Sequence, residues 1–419
     1  MISWLKAILH QQVSRDVWAI LTSTIMLFLA ANLVLAVLFL TKDKFASLPL
    51  NQKALFDQAG APIDVGEAYQ RDWFDYTAYD GIVDQTYAGA VLDDFYRLGK
   101  LGFAYQPWVQ FSEPPYKGKL VNVDVDSLGF SIRKTHDEEQ KEKPRALRIF
   151  TFGGSTTFGY NVSDEHTWPS YLSDELNKRA KELGLTIRIK VTNYGRGFYY
   201  TTQEVLLFEQ LLRRGQRPNL VIFLDGVNEG QSCKDAPFFT GKLQEAMHNL
   251  QFAAVDVRWL PIVRLANAVN LRLFPSTRTN DCENEPEKGS EGAVQFEQNI
   301  KIARAVSKLY DVRALFFLQP DARYNYPIEL YRDKKRAKNL IQPFYEYKEM
   351  FYSKARKVDG VIDLTSLFNL WGRTRKAIID DVHYSPKFNQ FLAQHVADQI
   401  DLESLVNNDR RPASNNGEP

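Results

Sequence analysis

The stretch "IFTFGGSTTFGY", Ile149–Tyr160, decides the fold. An apolar run that begins at Leu147, "LRIFTF", stops at two glycines and hands over to a serine and two threonines. Such a run is the signature of a strand buried on both faces, and the glycines allow a tight turn out of it. The segment that follows, "TWPSYLSDELNKRAKEL", has helical spacing, with Thr167 as N-cap and Trp168, Tyr171, Leu172, Leu176 and Leu183 on its apolar side. The strand "TIRIKVTNYG" comes next. A helix "TTQEVLLFEQLLRRG" is opened by Thr201 and Glu204 at capping-box spacing and closed by Gly215, and "LVIFLDG" is a third apolar strand. The alternation resumes further on with helix "AVQFEQNIKIARAVSKLY", strand "VRALFFLQP", helix "NLIQPFYEYKEMFYSKARK", strand "GVIDLT" and the closing helix "SPKFNQFLAQHVADQI". Apolar strands that alternate with helices predict a three-layer α/β/α sandwich around a parallel central sheet.

Outside this core the 419-residue chain changes character. Val17–Leu40 holds about 24 residues without a charge, roughly 36 Å as a helix, which is enough to cross a hydrocarbon core of about 30 Å. It is expected to be one transmembrane helix after a flank at residues 1–16. Lys6 and Arg15 precede the span and Lys42 and Lys44 follow it, so charge alone does not orient it. Residues 42–144 are rich in aromatics and turn formers and are expected to form an irregular extension packed on the main domain. Within them, Lys119 to Asp126 alternates like a strand and Ser127 to Gly129 should turn it. The main domain is expected over residues 145–405, interrupted by an insertion at 231–292 over one rim of the sheet, with a disordered tail at 406–419. The only cysteines, Cys233 and Cys282, both fall in that insertion and are a candidate disulfide, which would imply an oxidising compartment. No Cys/His cluster has zinc-ligand spacing, so neither a metal nor a cofactor is expected. A net charge of +1 without a basic block excludes a nucleic-acid partner.

In parallel α/β sheets ligands sit beyond the carboxyl ends of the strands. Ser155 follows the first strand, Gly195 and Gly197 the second, Asn228 the third, and Asp380 and His383 lie in a late loop before the last helix. A serine hydroxyl needs a base to take its proton, and imidazole, titrating near neutrality, is the natural base. His10, His136, His166, His248 and His395 lack an aspartate three residues before them, which sets His383 apart. Other readings stay open at this level. Ser155 also suits a helix cap, Asn228 a turn, and Asp381 rivals Asp380 as the residue orienting the imidazole.

Four blocks in order, "GGST", "NYGRG", "GVNE" and "DDVH", make the chain resemble the SGNH hydrolases, the GDSL-like esterase and lipase superfamily, over about residues 145–400. The segments "YQPWVQF" and "VNVDVDSLGF" further resemble the upstream part of membrane-anchored bacterial members. The resemblance implies a flavodoxin-like sandwich and a catalytic triad of Ser155, Asp380 and His383. It also implies an oxyanion hole made by the backbone N–H of Ser155, the backbone N–H of Gly197 and the Asn228 amide. Three departures stand out. Gly154 and Glu229 replace the family's usual aspartates, and the oxyanion residue often lies five after the asparagine, which from Asn193 gives Phe198 rather than Gly197.

The implied activity is hydrolysis of an oxygen ester, and the anchor points to an acetylated polysaccharide of the cell envelope with the domain on the outer, periplasmic side of the cytoplasmic membrane. Phe238, Phe239, Phe252 and Trp259 are candidates to line an acyl or sugar site, with core packing as the competing role. A polysaccharide O-acetyltransferase with the same triad, and a non-catalytic scaffold subunit, are the alternatives.

Overall fold

The computed structural model describes residues 2–45, 75, 78, 85–136, 146–229, 236–240, 243, 261–262, 265, 286–372 and 374–409. The chain divides into two compact units, residues 1–62 with 241–279, and residues 63–240 with 280–419. In the first, a single helix runs Ile2–Phe45 (α1), and its segment Val17–Leu38 is long and apolar enough to cross a membrane. The side chain of Asn32, inside that segment, accepts a hydrogen bond from the Ile262 backbone at 3.2 Å. Most of the expected insertion at 231–292 lies outside the described residues, and a helix already begins at Pro286.

In the second unit five parallel strands form the centre: β6 (Ala146–Gly153), β7 (Arg188–Asn193), β8 (Leu220–Asp225), β9 (Arg313–Leu318) and β10 (Val361–Asp363). Their order is β10-β9-β8-β6-β7. Side chains alternate across a strand, and here the two faces differ chemically. Leu147 and Ile149 of β6 and Leu220, Ile222 and Leu224 of β8 join an aliphatic layer beneath the helices α4 (Trp168–Glu182) and α10 (Pro386–Ala397). On the other face Phe152, Phe223 and Phe316 stand directly opposite one another in register and stack, with centroids 4.9 and 5.3 Å apart. Phe208 from α5 (Thr201–Arg213) packs on that ladder.

Where it is described, the extension carries regular elements. Residues 85–101 form a helix, α2 (Gln85–Leu101), Ala104–Gln106 (β1) and Gln110–Ser112 (β2) a separate hairpin, and three strands lengthen the central sheet: β3 (Tyr116–Lys117), β4 (Asn122–Val125) and β5 (Ser131–Arg133). These three run antiparallel, β5 pairing with β7, so the sheet is eight-stranded and mixed rather than wholly parallel. Apart from β4, these short strands show too little periodicity to be legible alone. The alternating segment at 119–126 does become β4, and Asp126 ties the following turn by accepting from the N–H groups of Leu128 and Phe130.

Several local expectations shift for identifiable reasons. Thr167 caps α4, accepting from Ser170 N–H, but Leu183 falls beyond the helix and is exposed. The capping box of α5 does not form. Thr201 N–H and Oγ1 donate instead to Glu229, and Glu204 turns towards Asp225. Leu402–Asp409 forms a last helix, α11, with Leu405 and Val406 buried, so packed structure reaches into the segment expected to be a tail.

Candidate active site

A strand-to-helix turn delivers the serine. β6 ends at Gly153, and the one-turn helix Ser155–Phe158 (α3) begins with Gly154 as N-cap and no side-chain cap. The Ser155 hydroxyl is thus not consumed by capping: Oγ lies 2.9 Å from His383 Nε2. Gly154 is demanded by close approach, since a Cβ there would come within 2.5 Å of Asn228 Nδ2 and 3.2 Å of the Tyr199 carbonyl. A side chain at this position would have to displace the Asn228 amide.

His383 Nδ1 lies 2.6 Å from Asp380 Oδ2, while the N–H groups of Val382 and His383 donate to Oδ1 at 2.8 and 2.7 Å. Asn161, held at φ 66°, donates its amide to Oδ2 at 2.7 Å. Burial alone would raise the Asp380 pKa, but the adjoining His383 ring and these hydrogen bonds outweigh it and hold the carboxyl below its ordinary value. With Nδ1–H given to this carboxylate, Nε2 keeps its lone pair for the Ser155 hydroxyl. The Tyr160 ring stacks on His383 with centroids 5.4 Å apart. His136, His166 and His395 bond to Asp174, Ser163 and the Phe391 carbonyl instead, and the side chains of His10 and His248 lie outside the described residues.

Two loops approach Ser155 from the neighbouring strands. After β8, Asn228 donates one amide hydrogen to Tyr199 O at 2.8 Å and keeps the second. That loop is braced from below. Lys348 Nζ donates to the carbonyls of Gly226 and Val227 at 3.0 and 2.6 Å, and Arg323 to Val227 at 2.6 Å. Lys348 sits wholly buried 3.0 Å from Asp321, and burial pulls its pKa down to about 8 against the opposing charge of Asp321. Neither cation stood out in the sequence, because what they hold is backbone.

After β7, Gly195 N–H donates to Asn193 Oδ1 at 2.8 Å and Arg196 N–H to Gly153 O at 3.0 Å. Gly197 N–H donates to Glu113 Oε1 at 2.7 Å, so the donor assigned to the oxyanion already faces a carboxylate. Phe198, at φ 62°, has no hydrogen-bond acceptor for its N–H among the described residues. Its ring is 40% exposed and stacks on Phe238, whose neighbour Phe239 is buried against Phe103 and Phe111. Phe252, Trp259, Cys233 and Cys282 lie outside the described residues. Among the described residues no group of three or more His, Cys, Asp or Glu is arranged to hold a metal ion.

The family model described as GDSL-like Lipase/Acylhydrolase matches residues 149–396, more than half of the chain. The chain belongs to this family. It is a serine ester hydrolase. Among solved structures it is similar to a two-domain esterase (CEX) active on acetylated mannans, at 14% identity and TM-score 0.34, covering 66% of this chain and 52% of that one. The chain thus spans about half the length of that esterase. It is also similar to the psychrotrophic esterase EstA from Pseudoalteromonas sp., at 12% identity and TM-score 0.32, covering 62% of this chain and 98% of that one. A third is the acetyl xylan esterase AlAXEase, at 15% identity and TM-score 0.32, covering 61% of this chain and 100% of that one. No curated protein matches the chain.

Proposed function

We propose that this GDSL-family chain is a membrane-anchored esterase that removes acetyl groups from a cell-envelope polysaccharide, with Ser155 as nucleophile, His383 as general base and acid, and Asp380 as the residue that orients and charges the imidazole. The observation that carries the reading is the 2.9 Å contact between Ser155 Oγ and His383 Nε2 across 228 residues of sequence. In the reaction His383 Nε2 takes the hydroxyl proton as Oγ bonds to the ester carbon. The carbonyl oxygen becomes an oxyanion. Collapse expels the sugar alkoxide, which receives the proton from Nε2, and leaves acetyl-Ser155. Water then attacks, gives its proton to Nε2, and the second collapse returns that proton to Oγ and frees acetate.

The oxyanion needs donors fixed beforehand. Ser155 N–H lies at the start of α3, Asn228 keeps one free amide hydrogen beside Gly154, and the third donor is assigned to Phe198 N–H in place of Gly197. Three features favour a large, external alcohol over a small metabolite: the apolar span Val17–Leu38, and the exposed aromatics Phe198 and Trp108, the latter 78% exposed on the hairpin between β1 and β2. Aromatic faces are suited to stacking on sugar rings.

The decisive experiment labels the full-length protein in detergent with a serine-directed fluorophosphonate and then follows acetate release from acetylated glycans and longer acyl esters. Labelling lost in Ser155→Ala, with acetate released from glycans, is expected. Labelling that survives Ser155→Ala would remove the nucleophile, preference for long acyl chains the substrate class, and acetyl transfer to an added oligosaccharide the hydrolytic outcome.

A further inference from the structure

Outside the matched segment, 36 residues before it begins, one side chain of the extension reaches the site. Glu113 follows β2 and is 2% exposed. Its Oε1 accepts from Gly197 N–H at 2.7 Å and from the Tyr160 hydroxyl at 3.0 Å. Its Oε2 faces Arg196 Nε at 4.0 Å, beyond hydrogen-bond reach, and neither of those two atoms has a hydrogen-bond partner among the described residues. Burial pushes the carboxyl pKa up, with Arg196 and the two donors pulling against it. A buried carboxyl with one distant cation is a costly way to hold an extension in place, because an apolar side chain would do that without desolvation. What sets Glu113 apart is where its two bonds lead. One ends on the amide next to Phe198, in the loop that turns through the left-handed conformation. The other ends on Tyr160, whose ring lies flat against His383, 19° from parallel.

We propose that Glu113 is a positioning residue of the esterase reaction. By engaging Gly197 N–H it fixes the turn that leaves Phe198 N–H free for the oxyanion, and through Tyr160 it steadies the plane of the His383 ring. The inference rests on the catalytic reading above. It makes the extension part of the active site rather than a covering on it. The packing agrees: the cluster under helix α2 takes in Phe158, at the end of the serine helix, and Ile379, the residue before Asp380. Asp75 adds to that clamp, donating its N–H to the Ile379 carbonyl at 2.7 Å and pairing with Lys376.

The test compares Glu113→Ala, Glu113→Gln and Glu113→Asp in the full-length protein, reading kcat and KM for a small activated acetyl ester alongside fluorophosphonate labelling of wild type and Ser155→Ala. A misaimed oxyanion donor acts in the transition state, so Glu113→Ala should lose about tenfold or more in kcat with KM within about twofold. Glu113→Gln keeps the length and an acceptor oxygen and should recover most of kcat. Glu113→Asp keeps the charge but is one methylene too short for Gly197 and should stay impaired. If Glu113→Ala fails to fold, the Gln and Asp pair decides alone. Unchanged kcat in Glu113→Ala, a rise in KM alone, or an active Asp variant beside an inactive Gln variant would each overturn the positioning role, the last by showing that charge facing Arg196 is what counts. A wild type that takes no label would sink the catalytic reading and this inference with it, an outcome recognisable without any Glu113 variant.

Discussion

At the residue scale the site depends on a few contacts whose removal has distinct costs. Asn228→Ala takes away one of the proposed oxyanion donors, and the expected loss is about 10²–10³ in kcat with little change in KM. Gly154→Ala should depress kcat through the same group, because its methyl would be forced against the Asn228 amide at 2.5 Å. A thermal melt run beside the kinetics separates this from unfolding. Asp380→Asn should cost about 10⁴ in kcat, since the amide oxygen would stay with the N–H groups of Val382 and His383 and the NH2 group, a donor, would face Nδ1 and force the wrong tautomer. If Asp380→Asn retained more than about a tenth of the activity, Asp380 would not be the orienting carboxylate.

Elements act through packing and through the charges they bury. The ladder of Phe152, Phe223 and Phe316 lies across three adjoining strands, so Phe223→Ala should remove about 3–5 kcal/mol of stability as measured by denaturant unfolding. Where α5 meets the end of β8, Glu204 and Asp225 are both buried, near Glu229. Burial, and then the neighbouring carboxylates, raise both pKa values well above ordinary. The folded state therefore binds protons that the unfolded chain releases. Stability is full below the ordinary carboxyl pKa and declines as pH rises towards the raised, folded value. Glu204→Gln removes one of the two buried carboxyls and with it one bound proton. Its melting temperature should match wild type in acid and exceed it by roughly 2–4 °C at about pH 8, and equal melting at both pH values would show that the pair carries no excess proton.

For the whole molecule, the apolar span and the Ser155–His383 pair belong to different units, residues 1–62 with 241–279 and residues 63–240 with 280–419. If the proposed anchoring holds, deleting residues 1–45 should release the protein from membranes while leaving kcat/KM for a small soluble ester within about threefold, as expected when the deleted segment contributes nothing to the transition state. Fractionation and ester assays on the same preparations check both halves of the statement. A chain that begins at residue 145 should behave differently. It lacks Glu113 and uncovers Phe158 and Ile379, so it is expected to aggregate or to be inactive even though it contains the whole family match.

Taken alone, the sequence determined the alternation of buried strands and helices, the apolar span, and the order in which Ser155, Asn228, Asp380 and His383 arrive. Each of these is a local property: periodicity, run length, or a residue type placed just after a strand. Other features follow from contacts between segments distant in sequence. The antiparallel β3 and β5 were illegible because strands of two or three residues show no period until a neighbour pairs with them, whereas the longer alternation that holds β4 could be read. The capping box at Thr201 and Glu204 was plausible locally and lost to Glu229, which competes for the same N–H from 28 residues away. Asn161, Lys348 and Arg323 carry no motif, since an amide or cation aimed at a carboxylate or a backbone carbonyl can come from anywhere in the chain. Which backbone N–H near the serine remains available was likewise undecidable in advance. Gly197 is claimed by Glu113, 84 residues upstream, and a hydrogen bond over that separation exists only once the fold has brought the two together.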